Sequence, residues 1–127
     1  MTNSPSSTAD RYTELLALMD GDRELLQELI DVFLEDAPRR IEDVRHALDT
    51  GDAVGLYRAA HTLKGSAGNF GAPDVVGLAL GLETLARQAG CVHSGSSKLE
   101  AAAVQFGLLE TEMHRLVADL VAARNLP

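Results

Sequence analysis

The sequence predicts an all-α protein, an antiparallel four-helix bundle with a short additional helix at its N-terminus. Three observations lead to this fold class. Apolar residues recur at steps of three and four along most of the chain, which is the spacing of one helix face. Runs of alternating Val, Ile and Thr that would signal a strand are missing. Clusters of Gly, Pro and Asp divide the chain into segments of helical length.

The N-terminus differs in composition from the rest of the chain. Residues 1–9 are polar and rich in Ser and Thr, so we expect a flexible tail that ends near a helix N-cap at Asp10. Residues 10–127 then form a single compact domain, because 127 residues and 13.5 kDa fit one hydrophobic core. The start at Met1, followed by this polar tail, favours a free-standing protein.

Two helical segments follow the tail. Residues 12–19 predict the short additional helix, and Asp22 is a predicted N-cap for the next one. From Arg23 the helical spacing of apolar residues continues to Leu48. We expect a kink or an interruption at Pro38, because proline has no amide donor and its ring clashes with the preceding turn.

Three further helices are predicted in the second half of the chain. The first covers about residues 53–69, and the next covers about residues 74–88 with Pro73 at a first helical position. Residues 91–96 are predicted to form a polar loop. The last helix is predicted to start at residues 97–100, whose Ser-Lys-Leu-Glu sequence matches a capping box.

Composition excludes several classes of function. Eleven Lys and Arg against nineteen Asp and Glu give a net charge of −8, which argues against a nucleic-acid binder. The single cysteine, Cys91, excludes an intramolecular disulfide framework and a cysteine-based zinc site. His46, His93 and His114 show no i,i+4 ligand pair, so metal binding is not expected. Without a long apolar run or a secretion signal, a soluble cytoplasmic protein without a membrane association is predicted.

Residues 54–71, which include most of the third predicted helix, contain a histidine whose position on that helix can be compared with the predicted core face. At about 100° per residue, five apolar residues share one stripe roughly 80° wide: Leu56, Ala60, Leu63, Ala67 and Phe70. His61, Lys64 and two glycines lie on another arc, centred roughly 130° away. The stripe is the predicted core face, and His61 is therefore predicted to be accessible to solvent.

The residues around His61 suggest a chemistry. Glycine inside a helix costs about 0.5–1 kcal/mol relative to alanine, so Gly65 and Gly68 need a reason other than helix stability. One explanation is that they clear the approach to the imidazole, and the other is that they allow close helix packing. Lys64 places an ammonium group, a good phosphate partner, one turn from the ring. These features describe a nucleophile for phosphoryl transfer, although an isolated histidine on a helix is usually an ordinary surface residue.

The order of these residues resembles a known signature. Residues 61–71, His-Thr-Leu-Lys-Gly-Ser-Ala-Gly-Asn-Phe-Gly, resemble the motif of histidine-containing phosphotransfer (HPt) domains. The likeness extends outward to residues 29–38, which resemble the second helix of the family, and to residues 82–90, which resemble the end of its fourth. In total it covers about residues 9–122.

The resemblance implies a role for five residues. His61 is the phosphoacceptor, Lys64 stabilises the phosphoryl group, and Gly65 leaves room for the partner. Glu83 occupies the position at which family members hydrogen-bond the imidazole, and such a bond would fix the ring tautomer. Arg87, one turn after Glu83, is a candidate second positive group. The alternative for these last two residues is an i,i+4 surface ion pair.

The resemblance also implies a function and partners. The chain is expected to shuttle a phosphoryl group between aspartates on receiver domains of response regulators and hybrid sensor kinases. No nucleotide-binding or kinase motif is visible, so we expect an intermediate without kinase activity of its own. It is expected to be a monomer without a cofactor, with Mg²⁺ held by the receiver partner. The alternative function is a helical adaptor that docks receiver or kinase domains and is not phosphorylated.

Overall fold

The computed structural model describes residues 8–90 and 95–126, which form five α-helices and, within these ranges, no strand. The helices are α1 (Thr8–Leu18), α2 (Arg23–Thr50), α3 (Ala53–Gly68), α4 (Pro73–Ala89) and α5 (Gly95–Arg124). In the bundle α3 packs against α2 and α4, and α5 packs against α2 and α4. The short helix α1 packs against α5 and α2. The predicted all-α bundle with an extra N-terminal helix is confirmed.

The core lies between the four long helices and is built almost entirely from aliphatic side chains. Each helix turns one stripe inward, at the three- and four-residue spacing that the sequence shows. Phe33 of α2 and Phe70, just after α3, meet edge to face with ring centroids 5.3 Å apart. Fully buried residues from all four long helices include Leu26, Ile30, Val44, Leu56, Leu63, Leu82, Leu109 and Leu120.

Side-chain caps fix the start of α2 and α3. Asp22 accepts a hydrogen bond from the Leu25 amide at 3.0 Å, as predicted, and Asp52 accepts one from the Gly55 amide at 2.9 Å. Between these helices Gly51 adopts a left-handed conformation with φ of 67°, which side-chain-bearing residues rarely adopt. The turn between α2 and α3 is therefore short, and it holds α3 at a defined position along α2.

Helix α2 runs through Pro38 without the predicted interruption. Pro38 is exposed, so water can satisfy the carbonyl of Leu34, one turn earlier, which loses its amide donor. Phe33, Ala37 and Val44 are buried on the two sides of the proline. Their burial stabilises both halves of the 28-residue helix against a proline cost of about 3 kcal/mol.

Two helices begin earlier than predicted. Helix α1 begins at Thr8, so Asp10 lies in its first turn, where a carboxylate interacts favourably with the helix dipole, and is not the N-cap. Helix α5 begins at Gly95, so the capping box predicted at Ser97 was wrong. Leu99 packs against the core and anchors that turn, and the helix extends about one turn before it. The predicted tail up to residue 7, Cys91 and His93 lie outside the described residues.

None of the helices in the described ranges is both long and apolar enough to cross a membrane.

Candidate functional site

Helix α3 displays His61 on the surface beside a fully buried stripe. The five residues predicted to form the core face are all buried, at 1% exposure or less: Leu56, Ala60, Leu63, Ala67 and Phe70. The His61 side chain is 61% exposed. The helical spacing therefore correctly predicted which face of α3 is buried and which face presents the imidazole.

A buried carboxylate on α4 contacts both polar groups of this face. The Glu83 side chain is only 4% exposed, although glutamate is rarely buried. Its Oε2 lies 2.8 Å from Nδ1 of His61, and its Oε1 accepts a hydrogen bond from Nζ of Lys64 at 2.9 Å. Because His61 and Lys64 are three residues apart on α3, they stand one above the other and reach the same carboxylate.

The surroundings of Glu83 keep it ionised. Burial raises the pKa of Glu83, but the hydrogen bonds from Lys64 and His61, together with their charges, outweigh burial and lower the pKa below its ordinary value. An ionised carboxylate only accepts hydrogen bonds, so Nδ1 of His61 must be the donor. In neutral imidazole the proton then sits on Nδ1, and Nε2 carries a free lone pair.

The lowered pKa of Glu83 predicts an acid-sensitive contribution to stability. A carboxyl whose pKa is lower in the folded state stabilises the protein above its unfolded pKa, about 4.3, and loses that contribution as pH falls through its folded pKa. We expect Glu83→Gln to lower the free energy of unfolding by about 1–3 kcal/mol at pH 6 and by less at pH 3. Urea unfolding of the wild type and Glu83→Gln between pH 3 and 6 measures whether their free energies of unfolding approach each other as the pH falls.

An exposed carboxylate provides the control for this titration. Asp31 pairs with Arg124 on the surface, and that hydrogen bond lowers the pKa of Asp31 as well. Introduced into both the wild type and Glu83→Gln, Asp31→Asn should leave the stability difference between them, and its decrease toward pH 3, unchanged. Parallel stability curves for the wild type and Glu83→Gln would show that Glu83 does not titrate as its contacts indicate.

An aromatic ring that the sequence analysis missed completes the surroundings of His61. Tyr57 stacks on the imidazole, with ring centroids 6.0 Å apart and planes 8° apart. Arg87 lies over the Tyr57 ring at 5.3 Å from the centroid, and its Nη2 donates a hydrogen bond to the phenol oxygen at 3.2 Å. The signal was present in the sequence, because an aromatic residue four positions before a histidine shares its helix face.

The two glycines that follow His61 in α3, Gly65 and Gly68, are not required by helix packing. A Cβ built on Gly65 meets no atom within 4 Å, so the packing explanation for this glycine is wrong. A Cβ on Gly68 would lie 3.9 Å from Cγ2 of Val76, which is ordinary van der Waals contact. Packing within this chain therefore does not require the open surface beside His61.

The other histidines that the structure describes lie on other helices than His61. His46 is exposed on α2, and His114 is exposed on α5. Within residues 8–90 and 95–126, no group of three or more His, Cys, Asp and Glu residues is placed to hold a metal ion.

An exposed imidazole that contacts a buried carboxylate, with a lysine bound to the same carboxylate, fits the class of histidine phosphotransfer proteins. The chain belongs to the Hpt domain family, whose model matches residues 28–122. It is similar to histidine-containing phosphotransfer protein 2 of Arabidopsis thaliana, at 29% identity over 111 residues, which cover 82% of this chain and 69% of the relative. No significant match to a solved structure was found.

The match confirms the family that the resemblance indicated. The chain has a phosphorelay role as a histidine phosphotransfer protein, and receiver domains are its partners as a class.

Proposed function

We propose that His61 accepts a phosphoryl group from the aspartyl phosphate of one receiver domain and passes it to the aspartate of another. The observation that carries this proposal is the 2.8 Å contact between Nδ1 of His61 and Glu83. It leaves Nε2, which makes no hydrogen bond within the described residues, as the exposed nucleophilic atom. Because the imidazole is already held in the reactive tautomer, no proton has to move before attack.

The transfer of the phosphoryl group to His61 needs no further reactant. The lone pair of Nε2 attacks phosphorus, an N–P bond forms, the P–O bond to the aspartate breaks, and the carboxylate leaves with that electron pair. The ring keeps its proton on Nδ1 and gains positive charge, which the ionised Glu83 stabilises. In the return step a second aspartate attacks phosphorus, and the electron pair of the N–P bond goes back to Nε2.

Lys64 is proposed to stabilise the phosphoryl group once it reaches the ring. Its ammonium group lies one turn from His61 on the same helix face and is held at 2.9 Å by Glu83. A phosphoryl dianion on Nε2 competes with Glu83 for this ammonium, because its charge is greater and more exposed. In a loose transition state such positioned charge supplies most of the catalysis.

The partner is proposed to complete the site. Gly65 leaves open space beside the imidazole, into which the aspartyl pocket of a receiver fits. Mg²⁺ would be held by the receiver and would neutralise charge on the transferring phosphoryl group. We also propose that the chain acts as a cytoplasmic monomer.

The experiment is phosphotransfer from a receiver domain that carries ³²P on its aspartate. We expect label to appear on this chain in a form that acid hydrolyses and alkali does not, as for a phosphorus–nitrogen bond to histidine. A receiver whose aspartate is replaced by asparagine should give no label. Receiver binding without label on this chain would contradict the proposal and support the adaptor function.

A further inference from the structure

The contact with Glu83 does not by itself fix the plane of the His61 ring. The terminal torsion of a histidine side chain joins an sp³ to an sp² carbon and has only broad preferences. A single hydrogen bond at Nδ1 leaves the ring free to pivot about that contact. With 61% of the side chain exposed, little else surrounds it. The direction of the Nε2 lone pair therefore depends on another contact.

Tyr57 supplies that contact from the same helix. Side chains on a helix lean toward its N-terminus, so His61 leans over the residue four positions earlier. The two rings are within 8° of parallel, at a centroid separation of 6.0 Å that is typical of offset stacking. The phenol ring covers the imidazole along one face and opposes tilting of the ring.

Tyr57 is itself held on two sides. It is partly buried and packs against the hydrophobic core. On its outer side, Arg87 of α4 lies over the ring and donates a hydrogen bond to the phenol oxygen. Contacts from both α3 and α4 therefore hold the Tyr57 ring that stacks on the imidazole. The same two helices hold Nδ1 of His61, because Glu83 of α4 contacts it and also binds Lys64 of α3.

We propose that Tyr57 is a positioning residue for phosphoryl transfer, which holds the plane of the His61 ring so that Nε2 points outward toward the phosphoryl donor. This inference rests on the proposed function of His61. It assigns the task to the aromatic face of Tyr57, and Arg87 acts by anchoring that ring. The expected contribution is a moderate factor in rate, because ring stacking is a weak contact and the nucleophile itself remains.

The test uses two phosphoryl donors, a phosphorylated receiver domain and phosphoramidate. Phosphoramidate is small, its P–N bond breaks as Nε2 attacks, and ammonia leaves with the electron pair, so its rate reports on the nucleophile without docking. We expect Tyr57→Leu to slow single-turnover labelling about three- to tenfold with both donors. Tyr57→Phe keeps the stack and loses only the hydrogen bond to Arg87, so it should recover most of the rate.

The chain offers a matched control. Tyr12 of α1 is also partly buried against the core and also accepts a hydrogen bond from an arginine, Arg23, at 3.0 Å. Tyr12→Leu should label at the wild-type rate. An equal loss of rate in Tyr12→Leu and Tyr57→Leu would show that the slower labelling comes from reduced stability of the fold, and it would overturn the proposal. A loss with the receiver alone would make Tyr57 a docking contact and would also overturn it.

A spectroscopic measurement distinguishes a positioning role of Tyr57 from a general role in the stability of the fold. The ¹⁵N chemical shifts of the His61 ring report which nitrogen carries the proton. In Tyr57→Leu a freer ring should bond Glu83 less well, and the shifts should move toward an average of the two tautomers. Unchanged shifts with an unchanged phosphoramidate rate would overturn the proposal. If His61→Gln were labelled like the wild type, the proposed function of His61 would fail instead.

Discussion

Replacement of His61 by glutamine should abolish phosphorylation of the chain while leaving its fold intact. Glutamine has an amide N–H that can still donate to Glu83, but it has no nucleophilic nitrogen. The position is exposed, so substitution there removes little buried surface. We expect no acid-labile label from a phosphorylated receiver, and a melting temperature within a few degrees of the wild type, as measured by circular dichroism.

The same substitution at two other exposed histidines is the control. His46→Gln on α2 and His114→Gln on α5 should accept label at the wild-type rate. Label that persists in His61→Gln and disappears in one of these variants would move the phosphoacceptor to that other histidine.

Replacement of Gly65 by glutamine should block docking of a receiver domain and leave the fold intact. No atom lies within 4 Å of a Cβ at this position, so the new side chain fits the isolated chain. Helix propensity favours glutamine over glycine by about 0.5–1 kcal/mol, so the melting temperature should be unchanged or raised. The side chain then stands beside the imidazole where the receiver must approach. We expect transfer from a receiver to fall by about a hundredfold or more.

Gly107 allows a matched comparison. It lies on α5, which packs against α1, α2 and α4, and a Cβ there also meets no atom within 4 Å. Gly107→Gln should therefore gain similar helix stability and keep wild-type transfer. A Gly65→Gln protein that melts early but transfers normally in its folded fraction would mean that Gly65 serves the fold.

Much of the fold was predictable because its determinants are local. The aspartate cap of α2 and the proline at the start of α4 act through hydrogen bonds and torsions within a few residues. The interruption expected at Pro38 does not occur, because its local cost is opposed by burial of Phe33 and Val44 in the core. The start of α5 was misplaced because two helical starts, at Gly95 and at Ser97, are both compatible with the local sequence.

The candidate site was predictable only in part. The exposure of His61 follows from helical spacing, since its position relative to the core stripe is set within α3. The contact with Glu83 joins residues 22 positions apart on two helices, and only the family resemblance indicated it. Arg87 shares a helix face with Glu83, but spacing alone did not indicate that its guanidinium lies over Tyr57 of α3.

The buried carboxylate of Glu83 limits how the phosphorylated state can be imitated. An acidic residue in place of a phosphorylated one is a common mimic of a permanently activated protein. At position 61, however, it would lie near the ionised Glu83 without the N–H that the imidazole donates to that carboxylate, and the two carboxylates would compete for the Lys64 ammonium. The substitution thus removes the contact that holds Glu83 and the ring together, which a phosphorylated imidazole keeps. A constitutively active form of this chain therefore needs a stable phosphohistidine analogue and not a mutation to aspartate or glutamate.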